Sequence, residues 1–332
     1  MTDDSRRGSL EAIREPVRKE CADLEGYFRT YLKTDVSVID RIFEHLLDGG
    51  GKRFRPLLVL LIASFREQPL DEDVFRLAVS VEFIHTATLL HDDVVDQSDL
   101  RRGNRVAYRL WGAEPSVLSG DYLYSRAFSL LVEIGHLGIL ESLSSATTSM
   151  ARGEVLQLLR SFSTATSREE YLEVIEGKTA SLISASCVSA GYLAGFNGDR
   201  IEALRGFGTN LGFSFQIVDD ILDYSADLGE LGKAIGKDFL EGKVTLPVIL
   251  LIEELKAEER RRVADIFLKS SPDPEDFQWV LSRMKDRDIL DKAMDAANRY
   301  AEQAQDSLSA LPEGAVRESL VDLARYVTRR RK

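Results

Sequence analysis

The chain has 332 residues, 44% of them hydrophobic and 30% charged, which is enough apolar material for a sizeable core. Lysine and arginine number 43 against 55 aspartates and glutamates, and the resulting charge of −12 argues against general nucleic-acid binding, which needs a basic footprint. Cys21 and Cys187, far apart in sequence, offer no disulfide framework and fit a reducing compartment.

The opening MTDDSRRGSLEAIREPV has no apolar h-region, so no secretory signal is expected. The longest apolar runs, PLLVLLIASF (56–65) and TLPVILLI (245–252), are too short to cross a bilayer. A cytoplasmic protein without a transmembrane segment is the expectation. Apolar residues recur at three- and four-residue spacing along most of the chain, prolines number only eight, and strand alternation is hard to find. Breaks fall at DGGGKRFRP (48–56), EQPLDED (67–73), QSDLRRGN (97–104), WGAEPS (111–116), GFNGDR (195–200), 225–243 and SSPDPED (270–276). Segments of helix length lie between them, and no break reads as a flexible linker. The expected fold is all-α, one large domain over 1–332.

In chain order, GGGKRFRP (49–56) comes first, placing Lys52, Arg53 and Arg55 after a triple glycine. It lacks the GxxxxGK[ST] pattern of a Walker loop, and no strand precedes it. The apolar run VSVEFIHTATLL (79–90) then leads into Asp92, Asp93 and Asp96, with Arg101 and Arg102 just after. Residues 181–195, SLISASCVSAGYLAG, are almost all small or apolar, which suits either close helix packing or the wall of a cavity. FSFQIVDDILDY (213–224) repeats the acidic pattern with Asp219, Asp220 and Asp223. At about 100° per residue, Asp92 and Asp96 share one helix face, and so do Asp219 and Asp223.

One D-D-x-x-D is commonly a solvated face; two, each following an apolar helix, are harder to dismiss. If the two helices face each other, their carboxylates repel strongly and stay ionised only with cations between them. All-oxygen ligands select hard ions, and Mg²⁺ shares its shell with substrate phosphates. Two such banks suggest a diphosphate held through several Mg²⁺ ions. The four histidines and two cysteines show no zinc-ligand spacing. Lys233, Lys237 and Lys243 lie in a glycine-spaced loop that looks like a lid.

Taken together, GGGKRFRP, HDDVVD with RRG (101–103), GEVLQL (153–158), EGKTASL (176–182), GFSFQIVDDILDY and the later LGK and EGKVTLP resemble the trans-polyprenyl diphosphate synthases. The matches run in order from about residue 48 to 250, and the wording is most similar to the family's bacterial octaprenyl members. The resemblance implies antiparallel helices around a central cavity, usually in a homodimer. It implies repeated trans addition of isopentenyl diphosphate to an allylic diphosphate such as farnesyl diphosphate, ending at octaprenyl diphosphate for a quinone side chain.

By the same resemblance, Lys52, Arg55, His85 and Arg102 bind isopentenyl diphosphate. Asp92, Asp96, Asp219 and Asp223 hold Mg²⁺, three ions per site, with Asp93 and Asp220 in support. Arg101, Lys178, Thr179, Gln216, Lys233 and Lys243 contact the allylic diphosphate. Among these, the backbone carbonyl at Lys178 or Thr179 and the amide oxygen of Gln216 face the allylic cation. Neutralising the leaving diphosphate promotes ionisation, and the cation survives only if water is excluded, which a closing lid would achieve.

Product length has its own signal. On a helical wheel Val81, His85, Thr88, Leu89, Asp92 and Asp96 form one stripe, so the residues before the motif would line a cavity. In short-chain members, bulky aromatics four and five residues before the first aspartate block the tail. Here those positions are Thr88 and Ala87, an open floor; the part of Ala87 rests on the resemblance. Phe128 and Leu131 are candidates for a deeper wall. A long apolar product implies transient membrane contact on release.

A shorter, geranylgeranyl-type synthase, a terpene cyclase and a non-catalytic partner subunit remain as alternatives. The isopentenyl set counts against the cyclase, and the retention of both acidic motifs counts against the partner subunit. Glu154 and Gln157, one turn apart, would either hydrogen-bond metal waters or simply be surface polar groups. Lys237 and Asp238 sit in the lid as candidates to contact phosphate. His45, His136 and Cys187 read as structural, His91 is open, and RRRK (329–332) reads as a solvated tail.

Overall fold

The computed structural model describes residues 9–48, 50–101, 103–225, 236–269 and 273–330. The all-α expectation holds: the described strands are a single two-residue pair. In chain order the helices are α1 (Leu10–Ile13), α2 (Arg18–Leu32), α3 (Ser37–Asp48), α4 (Phe54–Ala63), α5 (Glu72–Val95), α6 (Ala107–Trp111), α7 (Ala113–Ile134), α8 (Leu137–Arg160) and α9 (Arg168–Ile175). After a π-helical turn, Glu176–Ala180, come α10 (Ser181–Leu193), α11 (Gly198–Ser225), α12 (Lys237–Leu240), α13 (Leu246–Glu254), α14 (Ala257–Phe267), α15 (Pro274–Lys285), α16 (Ile289–Ser307) and α17 (Ala315–Arg329). None of the described helices is long and apolar enough to cross a membrane.

Two compact units are distinguished, the first from the described residues of 1–145, 185–205 and 308–323, the second from those of 146–184, 206–307 and 324–332. In the first, α5 is the central element. Asp71 caps its N-terminus by accepting from the Val74 N–H, and Glu72 and Asp73 in the first turn suit the helix dipole. Every residue of α4 except Arg55 is buried, so the run that might have read as a membrane helix is a core helix. Phe83 of α5 packs between Phe28 of α2 at 6.3 Å and Phe43 of α3 at 5.3 Å. Past α5, Leu100–Arg101 and Asn104–Arg105 pair antiparallel across Gly103, whose φ of +82° needs glycine.

In the second unit, α11 contributes Ile217, Val218, Ile221 and Tyr224 to a core shared with α13, α15 and α16. A capping box between Ser167 and Glu170 starts α9, which leads through the π turn into α10. Glycines set the helix crossings here. A Cβ on Gly153 of α8 would meet the Lys178 backbone nitrogen at 2.7 Å, and one on Gly177 would meet the Ser149 carbonyl oxygen at 2.8 Å. Gly208 and Gly212 of α11 likewise admit the Cα atoms of Ser184 and Ala180 to within 2.5 Å of where a side chain would start. Ser184 in the first turn of α10 and Ala180 at the end of the π turn are therefore close-packing positions, and the Cys187 thiol is buried, its pKa pushed up by that burial.

Candidate active site

The first acidic motif closes α5. Asp92 is in the last turn and Asp96 is the C-cap, with no basic residue in that turn, so both carboxylates oppose the helix dipole. Each such placement at an exposed helix end costs about 0.3–1 kcal/mol unless a cation offsets it. Asp92 and Asp96 are half-buried, as are His85, Thr88 and Leu89 on the same stripe, whereas Ala87 is fully buried. Thr88 turns its hydroxyl back to the His85 carbonyl at 2.7 Å. Of the candidate wall residues, Leu131 is buried and Phe128 half-buried.

Asp93 does something else. Its side chain is 2% exposed and receives Arg101 through Nε at 3.0 and 3.2 Å and through Nη2 at 2.8 Å. Arg101, expected on the allylic diphosphate, is thus oriented by a buried carboxylate. His91 proves to be a packing residue: Nε2 lies 3.1 Å from the Val117 carbonyl, and its ring covers Gly120, where a Cβ would come within 2.3 Å. It stacks on Tyr124, whose phenol is pushed up to about 12 by burial and then by Asp92.

The basic loop before α4 splits its cations. Arg53 has φ of +47° as the N-cap of α4, and its guanidinium pairs with Glu82 at 3.0 Å and sits 5.1 Å from the centre of the Phe28 ring. Lys52 is exposed and Arg55 half-buried, while Arg14 Nη2 holds the Lys52 carbonyl at 2.6 Å. Arg102 and Lys233 lie outside the described residues.

In the second unit, Asp219 is the outward carboxylate of the second motif, its side chain 59% exposed. Arg330 reaches it at 3.2 Å while donating to the Phe215 carbonyl at 3.0 Å and lying over the Phe215 ring at 4.0 Å. The Arg330 side chain is only 7% exposed. The solvated-tail reading of RRRK is therefore wrong for Arg330: an aromatic ring and a carboxylate draw it in. Burial lowers its pKa, with Asp219 opposing.

Asp220 is buried and accepts from Tyr171 Oη at 2.5 Å and Gln216 Nε2 at 2.8 Å. The Gln216 amide oxygen in turn accepts from Thr179 Oγ1 at 2.7 Å, so the oxygen expected to face a cation is already engaged. Asp223 accepts the backbone N–H groups of Lys237 and Asp238 at 3.1 and 3.0 Å, tying α11 to the start of α12. Burial, then the neighbouring Asp238, pushes the Asp223 carboxyl up to about 7 and raises Asp220 well above the usual range. Asp238 is itself raised by burial, with Lys243, 3.6 Å away, opposing.

Lys178 and Thr179 sit in the π turn, a widening that occurs mostly as single-turn bulges within α-helices and frequently at functional sites. Lys178 pairs with Glu154 at 2.6 Å, which gives Glu154 a partner that spacing alone did not suggest. Among the described residues, no three His, Cys, Asp or Glu side chains are arranged to hold a metal ion by themselves.

The described helices carry two aspartate clusters, the first with Arg101 on Asp93 and the second with Arg330 on Asp219 and Lys243 beside Asp238, and all-oxygen donors of this kind suit hard cations. The chain belongs to the polyprenyl synthetase family, whose model matches residues 36–284. It is 37% identical over 315 residues to an all-trans-nonaprenyl-diphosphate synthase, described as geranyl-diphosphate specific, of Rhodobacter capsulatus, covering 94% of this chain and 95% of that protein. Identity is also 37% over 322 residues with octaprenyl diphosphate synthase of Escherichia coli (strain K12), covering 97% and 99%. The crystal structure of a polyprenyl synthase from Caulobacter crescentus CB15, complexed with calcium and isoprenyl diphosphate, superposes with a TM-score of 0.93 at 39% identity, covering 98% of this chain and 99% of that one.

Proposed function

We propose that the chain is a long-chain trans-polyprenyl diphosphate synthase, adding isopentenyl diphosphate to an allylic primer such as farnesyl diphosphate and ending at octaprenyl diphosphate for a quinone side chain. The observation that carries this reading is the second acidic bank. Asp220 and Asp223 are raised by burial and then by Asp238, Asp238 is raised by burial and by Asp219 with Lys243 opposing, and Asp223 is tied to the Asp238 backbone N–H at 3.0 Å beside the exposed Asp219. A cation bound among these carboxyls would hold them ionised where burial alone favours their protonated form. Long-chain products in the named relatives support the length assigned.

Asp92, Asp96, Asp219 and Asp223 fit Mg²⁺: all are oxygen donors, and at α5 the two aspartates stand against the helix dipole without a basic residue in their turn. Bound there, three ions per site, Mg²⁺ would neutralise the leaving diphosphate. Lys52, Arg55, His85 and Arg102 bind isopentenyl diphosphate; Arg101, Lys178, Thr179, Gln216, Lys233 and Lys243 bind the allylic diphosphate. Asp93 orients Arg101, and Asp220 orients Gln216, which in turn orients Thr179. Backbone carbonyls of the π turn face the allylic cation. Ala87 and Thr88 leave the floor open for the growing chain.

The family match takes residues from both compact units, which supports their acting as one synthase domain. A homodimer is supported by apolar side chains left in solvent on α7, Leu118 and Val132 at 64% each, and by Val155, Leu158 and Leu159 on α8. The protein is placed in the cytoplasm, with transient membrane contact to release its product.

The test is incorporation of labelled isopentenyl diphosphate with farnesyl diphosphate. Activity is expected with Mg²⁺ and none with chelator, and Asp92→Asn and Asp219→Asn should each lower kcat by about a hundredfold or more. Metal-independent incorporation, or full activity in both variants, would remove the basis of the reading.

A further inference from the structure

Lys243 follows a turn that is gripped by a residue two positions beyond α8. Phe162 has φ of +64°, a left-handed backbone that glycine or asparagine adopts more readily. Its N–H donates to the Gly242 carbonyl at 2.7 Å. Its ring lies over the Gly242 Cα: a Cβ there would come within 2.3 Å of the ring, and Gly242 itself has φ of +72°. The backbone at 162 does not call for an aromatic, since asparagine would make the same N–H bond with less strain. Nor does core burial explain one, because the side chain is 37% exposed. What the ring does is cover the Gly242 peptide.

The residue held next in line is Lys243. Its N–H donates to the Asp238 carbonyl at 2.8 Å, and its ammonium lies 2.7 Å from Glu241 and 3.6 Å from Asp238. Asp238 is in turn bonded through its N–H to Asp223 of the second acidic motif. A contiguous path of contacts therefore runs from the Phe162 ring to the second carboxylate bank.

We propose that Phe162 is a positioning residue of the allylic diphosphate site: its ring and N–H clamp the Gly242 peptide and so fix where Lys243 presents its ammonium. This rests on the assignment of Lys243 to the allylic diphosphate.

The experiment is steady-state kinetics, with farnesyl and isopentenyl diphosphates varied separately, on Phe162→Ala, Phe162→Asn, Phe162→Tyr, Lys243→Gln and the Phe162→Asn/Lys243→Gln double variant. Phe162→Asn suits the left-handed backbone better and keeps the N–H donor, so it removes the ring without adding strain even where Phe162→Ala folds poorly. The alanine and asparagine variants are expected to raise the allylic KM about five- to twentyfold, with the isopentenyl KM and kcat within about twofold. Phe162→Tyr should behave as wild type, and the double variant should be no worse than Lys243→Gln alone. A wild-type allylic KM in Phe162→Asn while Lys243→Gln raises it would overturn the role of Phe162 and leave that of Lys243. Multiplying effects in the double variant would overturn it equally. An unchanged allylic KM in Lys243→Gln would instead refute the assignment of Lys243, and the role of Phe162 with it.

Discussion

Asp92 and Asp93 are adjacent in sequence and have opposite environments. Asp92 is half-buried beside Tyr124, while Asp93 is buried in a forked contact with Arg101. Asp93→Asn should therefore raise the allylic KM several-fold and leave the Mg²⁺ requirement unchanged, the reverse of Asp92→Asn; a metal titration of both variants decides it. Arg330 carries a second prediction at this scale. It places a buried positive charge on Asp219, so Arg330→Gln should lower the Mg²⁺ concentration for half-maximal activity by roughly two- to fivefold while weakening diphosphate binding. An unchanged metal titration would mean the ion pair does not bear on the site. The D-D-x-x-D pattern was legible because carboxylates at helical spacing stand out against apolar neighbours. The division of labour within it was not, because neighbours on a helix point about 100° apart and only the packing shows which one turns inward. Arg330 was invisible for a related reason: nothing in RRRK distinguishes the arginine that finds Phe215 and Asp219.

At the level of elements, the π turn depends on a glycine crossing. Gly153 and Gly177 belong to GEVLQL and EGKTASL, and both motifs hold glycine because the backbones there leave no room for a side chain. Gly153→Ala would push a methyl against the Lys178 nitrogen, an obstacle of backbone that cannot rotate away. We expect a loss of about 1–3 kcal/mol in stability, read by urea denaturation, with a fall in kcat as Lys178 and Thr179 shift. Wild-type stability and turnover would mean that α8 and the π turn can separate freely. Helix content was readable from periodicity, but a π insertion was not, because a pattern scanned at 3.6 residues per turn passes over one widened turn. The segment 181–195 stayed ambiguous for its own reason: small residues serve close packing and cavities alike, and it takes Gly208 against Ser184 to show packing at its start.

For the whole molecule, the proposed homodimer is tested at the apolar side chains left in solvent on α7. Leu118 and Val132 on α7 are spaced by two heptad-like intervals and lie on one face. Leu118→Glu with Val132→Glu should convert a dimer to a monomer in sedimentation equilibrium; a dimer unaffected by both charges would place the interface elsewhere. Chain length is the other molecular property. On α5, position 87 is a buried alanine and position 88 a half-buried threonine, and the proposed open floor assigns them the places where a short-chain synthase would carry a wall. The most direct measurement is the size of the product made by purified protein from farnesyl diphosphate, labelled isopentenyl diphosphate and Mg²⁺, resolved after dephosphorylation. A sharp limit at octaprenyl, within the heptaprenyl to decaprenyl range, is the predicted result. A limit at geranylgeranyl, or no elongation by folded protein with metal present, would contradict it.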